Sequence, residues 1–188
     1  MSPTNLLVPT FAQMLRALSA WLDKARKQLP EAEAEALLAE SIAPDMFPLA
    51  TQVRFACVQA VEAVTRLRGV PLPELRETLV AEGRGARSHP GSIADAIARI
   101  DETLALLAGL DAQALDDGAD AAIALDVAGG LNFDMTGAHY VRDWALPQFY
   151  FHLVTAYAIL RGRGIKLGKR DYVSHMLAYV RPGAGSGG

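Results

Sequence analysis

The sequence predicts an all-α protein, a four-helix bundle with a small β-hairpin before the last helix. Three observations lead to this fold class. Four segments repeat apolar residues at three- and four-residue spacing over several helical turns. One region, between residues 121 and 135, instead alternates in twos around a pair of glycines. Hydrophobic residues make up 51% of the 188 residues, which is enough to enclose one core.

The first helix is predicted to open with Pro9 and Thr10, two residue types that suit a helix start. Its apolar positions form one stripe, and Pro30 ends the run. The next stretch, residues 31–42, is acidic and alanine-rich, and we interpret it as a short helical turn leading into a loop. The first helix is therefore amphipathic, with one face available to the core.

The second helix is predicted to begin with Asp45 as its N-cap and Pro48 in its first turn, where a missing N–H is tolerated. Gly69 is predicted to close it from the position just past the helix end. Residues 70–91 are rich in proline, glycine and arginine, which favours a connection. We expect at most one helical turn within it, around residues 74–81.

The third helix is predicted to start at Ser92, with Asp95 three residues later in the pattern of a capping box. The hairpin follows: residues 121–127 and 131–135 alternate in polarity and are separated by Ala128-Gly129-Gly130. Because glycine adopts positive φ without strain, this separator suits a tight turn.

The last helix is predicted to be capped by Thr136 and to end at Gly162. Its residues 144–160 carry no formal charge, so the helix is apolar nearly all round. Such a helix either runs through the bundle centre or turns its outer face to another subunit. Pro147 should remove one backbone hydrogen bond and kink the helix.

Composition favours a cytoplasmic protein with a single domain, residues 1–180, followed by a flexible tail, residues 181–188. The net charge of −3 argues against nucleic acid as the main partner. The uncharged run is slightly short of the ~20 apolar residues of a membrane span and contains polar side chains, so we expect no membrane association. The N-terminal residues lack the features of a signal peptide. A lone cysteine, Cys57, fits a reducing compartment and suggests a small buried hydrophobe.

Two segments resemble a known family: DMFPLATQVRFAC, residues 45–57, and ALPQFYFHLVTAYAILRGRGIKLGKRDY, residues 145–172. They are similar to an uncharacterised bacterial family, a domain of unknown function within the DinB-like superfamily of four-helix bundles. The resemblance extends from about Val8 to Tyr172 and implies a DinB-like bundle with its hairpin before the last helix.

The resemblance also implies where a metal would sit. Many members of the superfamily bind a divalent metal through three histidines, one on the second helix and two in an HxxxH pair on the last, and some are thiol-dependent transferases or hydrolytic enzymes. His152 matches the second histidine of that pair, Gln148 the first, and Gln52 the position on the second helix. Because amides are poor ligands for zinc or nickel, we expect no cofactor, and His152 is only a weak metal candidate.

The predicted ligand pocket combines polar residues at helical spacing. Gln148 and His152 are four residues apart, and Asp45 and Gln52 are seven apart, so each pair shares a helical face. Tyr150 could add a hydroxyl group. The alternative interpretation is structural: Asp45 only caps its helix, the glutamines are solvated, and His152 is hydrogen-bonded across the bundle.

Three functions remain open on these residues, and none assigns a catalytic residue. The first is a small-ligand-binding or structural module, a homodimer whose pocket has lost its metal. The second is an enzyme of the DinB-like type, assisted by a metal such as zinc or nickel or by His152 as general base. The third is an interaction protein that docks a partner on its apolar last helix.

Overall fold

Long α-helices build the domain, as the apolar periodicity predicts. The computed structural model describes residues 2–127 and 129–181. The first half of the chain contains α1 (Pro3–Gln28), α2 (Glu31–Ala36), α3 (Leu49–Leu67), α4 (Glu74–Gly85) and α5 (Ile93–Ala108). The second half contains β1 (Ala122–Val127), β2 (Leu131–Thr136), α6 (Gly137–His139), α7 (Leu146–Gly162) and α8 (Lys169–Tyr172).

The central helix of the bundle is α3, which packs against α1, α4, α5 and α7. Of its 19 residues, 16 are buried. Helix α7, which contains most of the uncharged run, does not occupy the centre, because Phe151 and Val154 on its outer face are 55% and 47% exposed. Of the two arrangements predicted for the last helix, passage through the bundle centre is therefore wrong.

Helix α1 starts at Pro3, six residues before the predicted start at Pro9. The Ser2 hydroxyl accepts a hydrogen bond from the Asn5 N–H (3.4 Å) and caps the helix. Leu7 is fully buried, so the apolar stripe continues back beyond Pro9, which lies inside the helix with its ring exposed. The helix ends at Gln28, just before Pro30, as predicted.

Asp45 is not the N-cap of α3, and this prediction is wrong. The helix begins at Leu49 with Pro48 as its N-cap, in extended conformation (φ −71°, ψ 168°). A proline disfavours helical backbone in the preceding residue, so the helix cannot extend back to Asp45. At the other end the predicted role of Gly69 is confirmed, because it follows the last helical turn with φ +63°.

The connection between α3 and α5 contains a full helix, α4, rather than the single predicted turn. Leu79 is fully buried in it. Gly83, which suggested a loop, is a close-packing position: a Cβ there would lie 2.5 Å from the Phe55 ring. Its carbonyl accepts a hydrogen bond from the Thr51 hydroxyl (2.8 Å). The glycine therefore permits close approach of α4 to α3 and does not break the helix.

The predicted capping box and hairpin are both confirmed. The Ser92 hydroxyl accepts from the Asp95 N–H (3.0 Å), while the Asp95 carboxylate accepts from the Ser92 N–H (2.9 Å). The antiparallel strands pair from Ala122 opposite Thr136 to Val127 opposite Leu131. The inward side chains of β1, Ile123 and Leu125, are buried, so the hairpin packs on its own bundle. Ala128, in the predicted turn, lies outside the described residues.

The last helix is continuous but not uniform. The Thr136 hydroxyl accepts from the His139 N–H (3.3 Å), which confirms the predicted cap. A π-helical stretch, Tyr140–Ala145, joins α6 to α7. Pro147 is the second residue of α7, so its missing N–H falls at the junction with this wider stretch, where the i→i−4 ladder is already interrupted.

The predicted flexible tail and the predicted end of the domain at residue 180 both remain predictions, because residues 182–188 lie outside the described residues. Among the residues described, no helix combines the length and apolar character that crossing a bilayer requires.

Candidate functional site

The structure brings two of the predicted site residues together, Gln52 on α3 and His152 on α7. The His152 Nδ1 and Gln52 Oε1 atoms are 2.9 Å apart. The other end of the amide, Nε2, donates a hydrogen bond to the Phe47 carbonyl (3.0 Å). A carbonyl oxygen can only accept, which fixes the orientation of the amide and turns Oε1 towards the imidazole. His152 therefore carries its proton on Nδ1 and keeps a lone pair on Nε2.

The imidazole is held in its neutral form by burial. His152 is 8% exposed, and desolvation lowers its pKa from 6.5 to about 4. Its neighbours are aromatic: the Phe55 and Phe151 rings each lie 5.4 Å from the imidazole, edge-on. A third ring, Phe47, packs edge-on against Phe55 at 5.7 Å. The three rings, Phe47, Phe55 and Phe151, are called the phenylalanine cluster below.

The second nitrogen of the imidazole is not used by the described residues, since Nε2 makes no hydrogen bond with any of them. In the phenylalanine cluster, Phe47 and Phe151 are 47% and 55% exposed. The ring thus keeps one unused hydrogen-bond acceptor next to a partly exposed apolar cluster.

The loop before α3 is held by a residue distant in sequence. Arg87, just past α4, donates from Nη1 to the Pro44 carbonyl (3.2 Å) and from Nη2 to the Met46 carbonyl (2.9 Å). These two bonds fix the loop that ends at Phe47, whose carbonyl orients Gln52. Sequence reasoning missed both Arg87 and the phenylalanine cluster, although Phe47 lies within the first segment that carries the family resemblance.

The remaining predicted site residues lie in different surroundings. Gln148 is half-buried one turn before His152 on α7, and Asp45 is exposed in the loop that precedes Phe47. Tyr150 lies about 200° around the helix from His152. It packs against Phe149 at 5.7 Å, and burial raises its pKa. The structure does not bring Tyr150 together with the imidazole.

The residues present do not fit a three-ligand metal centre. Among residues 2–127 and 129–181, no group of three or more histidine, cysteine, aspartate or glutamate side chains converges in the way a metal requires. Both ends of the Gln52 amide are engaged within the protein, so it would have to give up these bonds to act as a ligand. Cys57 is fully buried, and desolvation raises the pKa of its thiol to about 12, so no thiolate is available.

Comparison with known proteins agrees with this architecture. The chain is similar to a DinB family member protein from Shewanella denitrificans, known from its crystal structure, with 31% sequence identity over 90% of each chain and a TM-score of 0.72. No curated protein matches. The family model for a domain of unknown function, DUF1993, matches residues 4–173. On this evidence, the chain belongs to DUF1993, a family of DinB-like helical domains.

Proposed function

We propose that this DUF1993 domain is a small-ligand-binding module that uses no metal. The observation that supports the proposal most directly is the state of His152: a neutral imidazole, fixed as the Nδ1–H tautomer by Gln52, with an unused acceptor at Nε2. Ligand sites are mostly apolar with a few well-placed polar groups, and the phenylalanine cluster supplies that apolar part.

The donor atoms at the site support the metal-free part of this proposal. His152 offers a single imidazole nitrogen, and the Gln52 oxygen already accepts the Nδ1–H. One imidazole without further thiolate, imidazole or carboxylate partners is a weak site for zinc or nickel.

The ligand should carry a hydrogen-bond donor on an apolar, preferably aromatic body. The donor would reach Nε2, and the body would pack against Phe47 and Phe151, whose exposed surface it would remove from water. A general-base role for the same imidazole is less well supported. A conjugate acid with a pKa of about 4 gives little driving force for taking a proton near neutral pH.

The test compares two probes that differ in one hydrogen. Phenol has an aromatic body and an O–H donor, whereas anisole has the body alone. We expect phenol, followed by NMR, to move the His152 Nε2 resonance saturably and to bind several-fold more tightly than anisole. The matched variant is His152→Asn, whose amide can still donate to Gln52 but lacks the outer acceptor; it should bind both probes equally. Equal binding of the two probes by the wild-type protein would contradict the proposal.

The metal is tested separately by elemental analysis of protein purified without chelators. We expect no stoichiometric zinc, nickel or iron. A full equivalent of any of these that disappears in His152→Asn would overturn the metal-free proposal and favour the enzyme of the DinB-like type instead.

We also propose that the protein is a cytoplasmic bacterial homodimer. Support for the dimer comes from the outer face of α7, where Val154, which is not part of the ligand site, is 47% exposed. Replacing Val154 with a charged residue should leave the fold intact and shift the protein to monomer in sedimentation at several concentrations. A wild-type protein that stays monomeric across that range would refute the dimer.

A further inference from the structure

A cavity lies on the side of α3 away from Gln52, between α4 and the start of α5. It has a volume of about 360 Å³ and is lined by four charged side chains, Arg54, Glu82, Asp95 and Arg99, together with His89, Gly91 and Ala98. None of these residues belongs to the Gln52–His152 site. We call this space the Arg54 cavity.

Arg54 is buried without enough partners. Its side chain is 3% exposed, yet its only hydrogen bond to the described residues runs from Nε to Glu82 Oε2, at 3.3 Å. Nη1 is fully buried and has no partner there. A guanidinium has five N–H donors, and a buried charge is costly unless those donors are satisfied. The protein itself therefore leaves an incomplete hydrogen-bond site at this wall of the cavity.

The nearest carboxylate does not fill that gap, because it is shared. Glu82 Oε1 accepts from Arg99 Nη2 (2.6 Å) and Nε (3.0 Å), a closer pairing than the one with Arg54. Asp95, the other carboxylate of the cavity, uses Oδ2 to accept from Ser92. Its Oδ1 has no hydrogen bond among the described residues. The cavity wall thus offers both unused donors and an unused acceptor.

Gly91 keeps the space between these two groups open. Its φ of +72° favours glycine, and a Cβ at this position would lie 3.2 Å from Arg54 Nη2 and 3.3 Å from Asp95 Oδ2. Any other residue would place a carbon between the guanidinium and the carboxylate.

We propose that the Arg54 cavity binds a small zwitterion of the α-amino-acid class. The ligand carboxylate accepts from Arg54, and its ammonium group donates to Asp95. A ligand with no net charge fits best, because the two guanidiniums of the wall are balanced by its two carboxylates. A simple anion would be attracted to Arg54, but it would be repelled by the carboxylates of Glu82 and Asp95 and has no cationic group to offset that repulsion.

The test titrates the ¹⁵N-labelled chain with each of the twenty standard amino acids, and with acetate and methylammonium as the two half-molecules. We expect at least one amino acid to give saturable shifts at the Gly91, Ser92 and Asp95 amides, with at least tenfold higher affinity than either half-molecule. Acetate binding as tightly as every amino acid, or no saturation with any of the twenty, would overturn the proposal.

Two glycine variants provide the structural control. Gly91→Ala and Gly69→Ala both place a side chain on backbone with positive φ (+72° and +63°), but a Cβ at Gly69 meets nothing within 4 Å. We expect the first to lower the amino-acid affinity at least tenfold and the second to leave it unchanged.

Arg54→Met should also lose binding, so wild-type affinity in either Gly91→Ala or Arg54→Met would contradict the proposal. His152→Asn should bind the amino acid normally, which separates this site from the one at Gln52.

Discussion

The two sides of α3 differ in how fully their buried polar side chains are hydrogen-bonded. Gln52 and Arg54 are two residues apart, about 200° around the helix, and both are almost fully buried. The Gln52 amide is satisfied at both ends by protein groups, whereas Arg54 uses one of its donors. A closed network fixes one geometry and one proton position; an open one leaves binding capacity for a ligand. The same helix thus carries one site whose hydrogen bonds are complete and one whose donors are largely unused.

The largest expected effect comes from opening the closed network. Gln52→Leu would leave the His152 Nδ1–H and the Phe47 carbonyl without partners, each worth about 1–3 kcal/mol when buried. We expect the free energy of unfolding, from chemical denaturation, to fall by about 3 kcal/mol. Gln59→Leu on the same helix is the control. Its Oε1 is already buried without a partner, so its loss should cost far less.

Acidification should act on the same site with the next largest effect. The pKa of His152 is about 4 when folded and 6.5 in its ordinary state, so the unfolded chain binds the proton first. Stability is complete above pH 6.5 and is lost as the pH falls towards 4. The contribution between neutral pH and about pH 5 is roughly 2 kcal/mol. The wild-type chain should therefore lose more stability over this range than His152→Asn, as measured by denaturation at each pH; parallel losses would refute this account.

A variant at Gly83 probes whether the two sides communicate. A Cβ there would press on the Phe55 ring, which lies edge-on to His152, and on the Arg54 Cβ at 3.3 Å. Overpacking costs about 1–3 kcal/mol, partly offset by the helix propensity of alanine, so we expect Gly83→Ala to destabilise by about 1 kcal/mol. The His152 ring resonances should move in the same variant. Unmoved resonances would show that the two sides are independent.

The smallest effect is expected on the open side. Arg54→Met replaces a poorly partnered buried charge with an apolar chain of similar length. Such replacements are often neutral or stabilising, and Glu82 keeps its two bonds to Arg99. We expect unfolding free energy within about 1 kcal/mol of the wild type. A loss comparable to that of Gln52→Leu would show that Arg54 is a structural residue and that the contrast between the two sides is wrong.

The sequence predicted correctly those structural features that depend only on neighbouring residues. The capping box at Ser92, the closing Gly69, the Thr136 cap and the hairpin each depend on a few neighbouring residues. The helix α4 was missed because its glycine is explained only by the distant Phe55 ring. Similarly, the start of α1 depends on burial of Leu7, and no pattern around Pro9 reveals that.

The candidate sites divide in the same way. Gln52 and His152 were predicted because the family resemblance aligned them, but their contact and tautomer depend on the Phe47 carbonyl, a backbone group with no sequence signal. Arg54 was missed although a signal existed, since it is the only charged residue between Asp45 and Glu62. A single charge inside a long apolar helix needs an interaction partner when it is buried. The sequence alone does not identify that partner.

The hold of Arg87 on the loop before α3 has a consequence for how this family could diversify. Its two bonds keep the Phe47 carbonyl in place, and that oxygen decides which way the Gln52 amide points. If the loop relaxed and the amide rotated by half a turn, His152 would have to move its proton to Nε2. The outer nitrogen would then offer a hydrogen rather than a lone pair. One exchange of a surface arginine could thereby reverse the chemical preference of a pocket without altering any residue inside it.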